Sequence, residues 1–258
     1  MKLGTYGPDM KSLAAALILA GAVVAVSAVA PAPAADDRNL TVVELFTSQG
    51  CSSCPPAEAY LGELAKRPDL LALEQHVDYW DYIGWKDPFA SAAATDRQRR
   101  YNKRLGRGYV YTPQIVIDGV SEVVGSERRA VENSIEAARG QPRQHVAIRV
   151  TNSADGRLAV ALPKGETRAG LCDVILVGYD REHMTKVLRG ENGGRTLSNY
   201  NVVREMSRIG FWSGQEAVIA LPKLDAKRGW AVMVQAEDAG PVLGAVRISS
   251  DNLSLLLQ

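Results

Sequence analysis

The chain has 258 residues, of which 46% are hydrophobic and 23% are charged, values typical of a globular protein with room for two modest domains. Its 30 basic and 29 acidic residues leave a formal net charge of +1, so no bulk positive field favours nucleic acid or an anionic membrane. Three cysteines are too few for a disulfide-based scaffold.

The first 35 residues have the pattern of a signal peptide. Lys2 and Lys11 precede an uncharged run over residues 13–30, and small residues at 31–35 offer a cleavage site. An uncleaved membrane anchor is the alternative, because the run is about as long as the shortest transmembrane helices. The Ala- and Val-rich composition favours cleavage. The sequence therefore predicts an exported protein, periplasmic or secreted, with no stable membrane span after cleavage.

Two cysteines lie where a predicted strand passes into a predicted helix. Residues 41–46 form a β-branched apolar run typical of a buried strand, and an amphipathic helix follows as far as Lys66. Cys51 and Cys54 lie between them, at the helix N-terminus. Unpaired amide N–H groups and the helix dipole favour a thiolate there. A spacing of three residues also brings two sulfurs within disulfide distance.

This placement predicts redox chemistry. Two prolines in the first turn put the predicted helix start near residues 52–54, which leaves the N–H groups of Ser52 and Ser53 free to face the Cys51 sulfur. Cys51 is predicted to be the attacking thiol and Cys54 the resolving one. A structural disulfide or a pair of inert thiols is the alternative. Sulfurs sealed in the interior would argue against the redox assignment.

Helices and strands alternate over the rest of the first half. The predictions are a strand at 70–77, an irregular aromatic loop at 78–90, a helix at 92–105, strands at 114–117 and 120–124 joined by an Asp-Gly turn, and a helix from Ser126 to Gly140. The element order is β-α-β-α-β-β-α, and Thr112-Pro113 opens the third strand.

The stretch VVELFTSQGCSSCP resembles a glutaredoxin- or thioredoxin-type active-site entry, and residues 39–140 resemble the thioredoxin fold with its central mixed sheet. The resemblance implies that the Thr112–Pro113 peptide is cis and abuts the cysteine pair, with the Thr112 backbone docking an extended substrate cysteine. It also implies a buried carboxylate near Glu44 that takes a proton from the resolving cysteine, with a pKa raised by burial. A solvent-facing Glu44 is the alternative.

Five segments of the chain are similar to a bacterial exported family catalogued as domain of unknown function 1223 (DUF1223). They are ELFTSQGCSSCPPAE, HVDYWDYIGWKDPF, RQRRY, YTPQIVIDG and RGENGGRTLSNYNVVRE. This family is described as thioredoxin-like and carries no established activity. One departure from thioredoxin proper is that no Trp precedes Cys51, since Gln49-Gly50 stands there. Substrate docking and redox poise are therefore expected to differ.

Residues 145–251 predict an all-β, sandwich-like domain after the polar linker GQPRQ. Short alternating or β-branched runs are separated by Gly, Pro and Asp, and they lie at 145–151, 158–162, 174–179, 202–208, 217–220, 230–235 and 242–248. The Gly- and Asn-rich stretch GENGGRTLSNYN is predicted to be a loop that covers the first domain. Cys172, the third cysteine, is predicted to be buried and inert.

These features predict a thiol-disulfide oxidoreductase that acts on exported protein thiols and disulfides, with a redox partner and without a cofactor. His76 adds an alternative, because Cys51, Cys54 and an imidazole can bind Cu(I) as a metallochaperone does; a hydrogen-bonded structural His76 is the simpler interpretation. A non-enzymatic partner-binding protein with a structural disulfide is the third candidate. The basic cluster at 97–107 is predicted to be a solvated helix face, with a docking surface for an acidic partner as the alternative.

Overall fold

The computed structural model describes residues 40–142, 144–152 and 157–249. The predicted signal peptide, residues 1–35, lies outside the described residues. Within the described ranges, no helix is long and apolar enough to cross a membrane.

The first half of the structure has the predicted order of elements. It contains β1 (Thr41–Thr47), α1 (Pro55–Leu64), β2 (Leu70–His76), a short 3-10 helix (Asp81–Ile83), α2 (Ala92–Arg104), β3 (Gln114–Ile117), β4 (Ser121–Val124) and α3 (Arg128–Gly140). The second half contains β5 (Arg149–Asn152), β6 (Leu158–Leu162), β7 (Cys172–Lys186), β8 (Thr196–Trp212), β9 (Ala217–Ala220), β10 (Gly229–Ala236) and β11 (Val242–Ile248).

One mixed sheet of eight strands contains strands from both halves, in the order β11-β10-β7-β8-β2-β1-β3-β4. Strands β1 and β2 are parallel, whereas β3 is antiparallel to both β1 and β4. The two halves meet where β8 runs parallel to β2, with Glu74 opposite Val202. The segments that the sequence divides at residues 140–145 therefore share a sheet, and the described residues fall in one compact unit.

A second, three-stranded antiparallel sheet has the order β5-β6-β9. Its apolar side chains share one buried cluster with the β7, β10 and β11 part of the large sheet, as Val160, Leu176, Val232 and Trp212 illustrate. Alternate residues of a strand point to opposite faces, so each sheet contributes one apolar face to this core. The second half is thus layered sheet on sheet, while its strands also extend the sheet of the first half.

Helices α1 and α3 cover one face of β1, β2 and β3, where Leu45, Leu61, Ile115 and Ile135 are buried together. On the opposite face the sheet curls, so that β11 returns to the start of β1 and the N–H of Leu40 donates to the Ala245 carbonyl oxygen (3.3 Å). The curl buries a second apolar layer made from strands of both halves. Helix α2 contacts this same face.

The hairpin of β7 and β8 extends beyond the rest of the sheet. β7 pairs with β10 only through residues 172–179, whereas its pairing with β8 continues to Lys186 and Thr196. We call residues 180–202 the β arm and residues 187–195 its tip. The arm lies on helix α1, since a Cβ atom added to Gly62 would be 2.6 Å from the Tyr200 ring. The sequence predicts much shorter strands here, at 174–179 and 202–208. The arm is a mostly polar hairpin, so it lacks the alternation of apolar and polar residues by which a strand is recognised.

Candidate functional site

Cys51 and Cys54 form a disulfide immediately before helix α1, with their Cα atoms 5.4 Å apart. The N–H of Cys51 donates to the Ser48 carbonyl oxygen (3.0 Å), and the N–H of Cys54 donates to the Cys51 carbonyl oxygen (3.3 Å). These two turns bring the sulfurs together at the end of β1. The helix begins at Pro55 with Cys54 as its N-cap, later than predicted, because the first helical acceptor is the Cys54 carbonyl oxygen.

Both cysteines are fully buried, although Ser52 and Ser53 between them are exposed. The N–H of Ser52 was expected to face the Cys51 sulfur, but it donates to a carboxylate oxygen of Glu191 (3.2 Å). The Cys51 sulfur lies 3.4 Å from the Ser53 hydroxyl oxygen. Both sulfurs are fully buried in this conformation, so a partner thiolate reaches them only when the residues that cover them move.

The tip of the β arm covers the cysteine motif. Asn192 is fully buried, and its side-chain amide donates to the carbonyl oxygens of Gln49 and Cys51, each at 2.9 Å. Gly190 has a φ of +76°, and a Cβ atom there would lie 3.2 Å from Cβ of Trp85. Glycine thus permits both the left-handed turn and the close approach. Only the first half of GENGGRTLSNYN is a covering loop, because β8 begins at Thr196.

Gln49, two residues before Cys51, joins the motif to two other segments, the loop at 85–87 and the β arm. Its backbone N–H donates to a carboxylate oxygen of Asp87 (2.8 Å), and its side-chain amide donates to Asn199 of the arm (2.9 Å). The Trp85 indole N–H in turn donates to the Gln49 amide oxygen (3.1 Å). All of these groups are buried or partly buried, so the motif is held by a satisfied polar network.

His76 lies in this network as a structural group. Its Nδ1 is 2.7 Å from Asp87, and its Nε2 is 3.6 Å from a Glu74 oxygen. Burial alone lowers the pKa of His76, but the charge and hydrogen bond of Asp87 and the charge of Glu74 outweigh it and raise the pKa to about 10. This pKa favours the protonated imidazole, the form that does not ligate a metal.

The metal-binding alternative is not supported by this arrangement. It needs two thiolates and a neutral imidazole, whereas Cys51 and Cys54 are joined and His76 is a cation held by two carboxylates. Across the described ranges, no group of three or more His, Cys, Asp or Glu side chains is arranged to hold a metal ion.

Glu58 is a buried carboxyl group that sequence reasoning missed. It is 1% exposed and accepts a hydrogen bond from the Thr47 hydroxyl (2.8 Å). Burial and the nearby charge of Glu74 raise its pKa to about 8. Glu58 lies four residues after Cys54 on α1, so the two side chains share one helix face. The spacing of these residues could have indicated its burial, because Cys54, Glu58 and Leu61 fall at i, i+4 and i+7 of the buried face of the helix.

Glu44 is buried as the resemblance implied, but the expectation of a raised pKa is wrong. Arg97 forms two hydrogen bonds to its carboxylate (2.6 and 2.8 Å), and Gln75 and Tyr101 donate to it as well. Burial raises the pKa of Glu44, but the Arg97 charge and these donors outweigh it and hold the pKa below its usual value. Glu44 also points to the α2 face of the sheet, away from α1, because neighbouring Leu45 packs under α1.

The interpretation of residues 97–107 as a solvated face fails at its first residue. Arg97 is only 4% exposed, and it reaches across to Gln235 of β10 (2.9 Å) as well as to Glu44. Cys172 is buried and free, in agreement with the burial predicted for it.

The Thr112–Pro113 peptide bond is cis, as the resemblance implied. The Trp80 indole N–H donates to the Thr112 hydroxyl (2.8 Å), and Cβ of Trp80 would be 3.2 Å from a Cβ atom added to Gly50. Trp80 therefore lies between the residue before Cys51 and the residue before Pro113. This relationship links the two predicted parts of the site through one side chain.

Solved structures similar to the chain include protein AGR_C_4864 from Agrobacterium tumefaciens, with 31% sequence identity, a TM-score of 0.71, and coverage of 85% of this chain and 96% of that chain. HBP35 of Porphyromonas gingivalis has 12% identity, a TM-score of 0.55, and coverage of 83% of this chain and 76% of that one, so its likeness is one of fold. No curated protein matches the chain. The family model "Protein of unknown function (DUF1223)" matches residues 42–235, which is most of the chain, and the chain therefore belongs to the DUF1223 family.

Proposed function

We propose that the protein is a thiol-disulfide oxidoreductase that acts on protein thiols through Cys51 and Cys54. The observation that carries this proposal is the disulfide itself, placed directly before α1 with the buried acid Glu58 one turn along. We also propose that residues 39–140 form a thioredoxin-like module. The strand order β2-β1-β3-β4 and the cis Thr112–Pro113 bond before β3 support it.

The reaction is an exchange between two dithiol–disulfide pairs. A thiolate of the partner protein attacks the Cys51 sulfur, the Cys51–Cys54 bond breaks, and the electron pair passes to the Cys54 sulfur, which takes a proton. A second partner thiolate then attacks the partner's sulfur in this mixed disulfide and releases Cys51 as a thiolate. The partner's two thiols are oxidised to a disulfide, and the Cys51–Cys54 disulfide is reduced to two thiols. The same steps run backwards when the partner is disulfide-bonded.

Glu58 has the properties of a proton donor and acceptor for Cys54. Its pKa of about 8 lies close to neutral pH, so it exchanges a proton at little cost in free energy. The carboxyl group follows Cys54 on one helix face, and side chains on a helix tilt towards its N-terminus. Glu58 therefore replaces Glu44 in the proton-transfer role that the sequence assigned.

The short loop closed by the disulfide argues against a structural role. A disulfide stabilises mainly by restricting the unfolded chain, and a loop of four residues contributes only about 2 kcal/mol by this mechanism. The described residues already build a sheet of eight strands with several buried apolar clusters. A disulfide between two neighbouring turns adds little to the stability that this core already provides.

The burial of both sulfurs favours a second candidate, a non-enzymatic partner-binding protein in which the disulfide is permanent. The two candidates differ in one measurable respect. An exchange enzyme cycles between its dithiol and disulfide forms at physiological potentials, whereas a permanent disulfide has a potential below about −300 mV.

The decisive experiment measures the reduction potential of the Cys51–Cys54 pair against glutathione or dithiothreitol, together with turnover of a reduced and a disulfide-bonded protein substrate. We expect a potential within the range of known exchange proteins, about −120 to −270 mV. We also expect a mixed disulfide with substrate to accumulate in Cys54→Ala and to be absent from Cys51→Ala. A potential below that range, with no turnover in either direction, would transfer the assignment to the second candidate.

Export of the protein remains part of the proposal. The uncharged run at 13–30 and the small residues at 31–35 support a cleaved signal peptide and a periplasmic or secreted protein. Sequencing the N-terminus of the protein from its native host tests this directly. A mature chain that begins near residue 36 is the expected result, and an intact residue 1 contradicts it.

A further inference from the structure

We infer that Glu191, at the tip of the β arm, makes access to the cysteine pair depend on its redox state. The tip favours its closed position over the disulfide, from which it opens briefly and admits a partner thiolate. It opens more often when Cys51 is a thiolate, because the carboxylate and the thiolate compete for the N–H of Ser52. This inference rests on the proposed exchange function and adds the regulation of the same site.

The contacts of the tip are suited to a cover. Glu191 accepts from the N–H of Ser52 (3.2 Å), while Asn192 donates to the carbonyl oxygens of Gln49 and Cys51 (2.9 Å each). The two residues therefore bind the backbone on both sides of the first cysteine. With the tip in place Cys51 and Cys54 are fully buried, so a partner protein reaches them only after the tip has moved.

The N–H of Ser52 is the group for which two anions compete. It belongs to the turn from Cys51 to Cys54 that precedes α1, one peptide bond from the Cys51 side chain, so a charge on that sulfur and the Glu191 carboxylate act on the same amide. In the disulfide form Cys51 carries no charge, and the Glu191 carboxylate occupies this amide. In the reduced form a Cys51 thiolate lies one residue away and is an anion itself. The two like charges repel, so the solvent-exposed partner, Glu191, is displaced.

The tip of the arm can move without opening the core, while residues 199–202 at the base of the arm stay bound to β2 through Glu74 and Ala72. Residues 180–186 of β7 pair with β8 and are outside the β7–β10 ladder. The tip is closed by its own hydrogen bonds, from Val187 N–H to the Arg195 carbonyl oxygen (2.9 Å) and from Gly194 N–H to the Val187 carbonyl oxygen (2.9 Å). The tip can therefore swing as a preformed unit, and Gly190 and Gly194, both with positive φ, lie within it.

Amide hydrogen exchange over residues 187–195 measures tip opening directly in the full-length protein without any substrate. We expect exchange there to be at least about tenfold faster in the protein reduced with dithiothreitol than in the oxidised protein, the factor that corresponds to losing one charge-assisted hydrogen bond. Cys54→Ala, which leaves a free Cys51, is expected to exchange as the reduced protein does. Cys51→Ala is expected to stay protected.

Glu191→Gln separates the charge from the hydrogen bond, because its amide oxygen still accepts from Ser52 but does not repel a thiolate. We expect the tip of this variant to stay protected in both redox states. Glu182→Gln is the matched control, since it removes an exposed charge from the same arm, away from the tip, and is expected to open on reduction as the wild type does. Equal protection of the oxidised and reduced wild type overturns the inference, and so does a Glu191→Gln variant that opens normally.

These outcomes are independent of the test of the proposed function. A tip that opens on reduction in a protein without turnover supports the redox-dependent cover and contradicts the enzyme. Turnover with a tip that stays protected supports the enzyme and contradicts the cover.

Discussion

The carboxyl group of Glu58 lies one turn of helix α1 beyond Cys54, buried against the hydroxyl of Thr47. A carboxyl group in this position is largely neutral at pH 7, because burial and Glu74 raise its pKa to about 8. Under the proposed exchange mechanism the Cys54 sulfur gains or loses a proton, and Glu58 carries one on the same helix face. The first two predictions concern this proton.

Glu58→Gln is expected to slow closure of the Cys51–Cys54 disulfide at neutral pH. The ionised fraction of Glu58 accepts the proton that leaves Cys54, and the amide cannot. General acid–base catalysis contributes on the order of a hundredfold to such rates. The measurement is the rate at which glutathione disulfide oxidises the reduced protein, followed by quenching samples at set times over a series of pH values. The deficit should shrink above the ordinary thiol pKa of about 8.5, where Cys54 ionises unaided. Glu63→Gln, an exposed acid on the same helix, is the control, and a Glu58→Gln rate equal to its rate excludes the role.

Glu58 is also expected to make the oxidised protein less stable as the pH rises. The folded protein keeps a proton on Glu58 up to about pH 8, whereas the unfolded chain loses it near the ordinary glutamate pKa of 4.5. The contribution of Glu58 is therefore fully present below pH 4.5 and is lost as the pH rises through about 8. Because one pKa unit corresponds to about 1.4 kcal/mol, the loss is a few kcal/mol.

Urea unfolding of oxidised wild type and Glu58→Gln at several pH values between these limits checks the expectation. The free energy of unfolding should fall with pH more steeply in the wild type than in the variant. A residual slope above pH 6.5 is expected in both, because the raised pKa of His76, about 10, acts in the same direction. Equal pH dependence of the free energy of unfolding in the two proteins would contradict a raised pKa of Glu58 in the folded state.

Removal of Arg97 is expected to destabilise the protein strongly. Arg97→Leu leaves the Glu44 carboxylate buried without its cation, which typically costs about 3–5 kcal/mol. Arg100→Leu, on an exposed part of the same helix, should change the free energy of unfolding by less than about 0.5 kcal/mol. In urea unfolding, the pair Glu44→Gln and Arg97→Leu should lose less than the sum of the single changes. Additive losses would mean that the two residues do not act as one pair.

Gly62→Ala is expected to loosen the β arm, although alanine normally favours a helix by up to about 1 kcal/mol over glycine. The added Cβ would be 2.6 Å from the Tyr200 ring, so the ring and the arm must shift. Such overpacking costs about 1–3 kcal/mol. Urea unfolding measures the net loss, and Tyr200→Ala in the same chain should relieve most of it. A Gly62→Ala protein that is more stable than the wild type contradicts the close approach.

The elements of the first half were predictable because each lies in a local pattern. β3 occupies the predicted residues, and β1, β2, β4 and α2 differ from the predicted bounds by one residue each. Apolar runs, the Asp-Gly turn and helix stripes are set by near neighbours in the chain. The β arm could not be predicted in this way, because residues 180–202 are mostly polar. They are held by pairing with each other and by contacts with α1, β2 and the cysteine motif, all distant in the chain.

The candidate site divides in the same manner. The position of Cys51 and Cys54 between a strand and a helix follows from a short stretch of sequence, and so does the cis-proline expectation at Thr112–Pro113. The roles of the two carboxyl groups, in contrast, do not follow from the sequence. Glu44 and Glu58 are both acidic residues in apolar surroundings, and only the partner each meets distinguishes them.

By itself, the sequence determined the order of elements in the first half, the cysteine motif before α1, and a pattern of short strands in the second half. The tertiary structure alone decided that both halves share one sheet, that the arm covers the disulfide, and that Arg97 pairs with Glu44 while Glu58 keeps a proton. The physical reason is distance along the chain. Hydrophobic periodicity and helix caps depend on residues a few positions apart, whereas the pKa of a carboxyl group and the burial of a sulfur depend on groups that approach from elsewhere in the chain: Glu191 meets Ser52 across 139 positions.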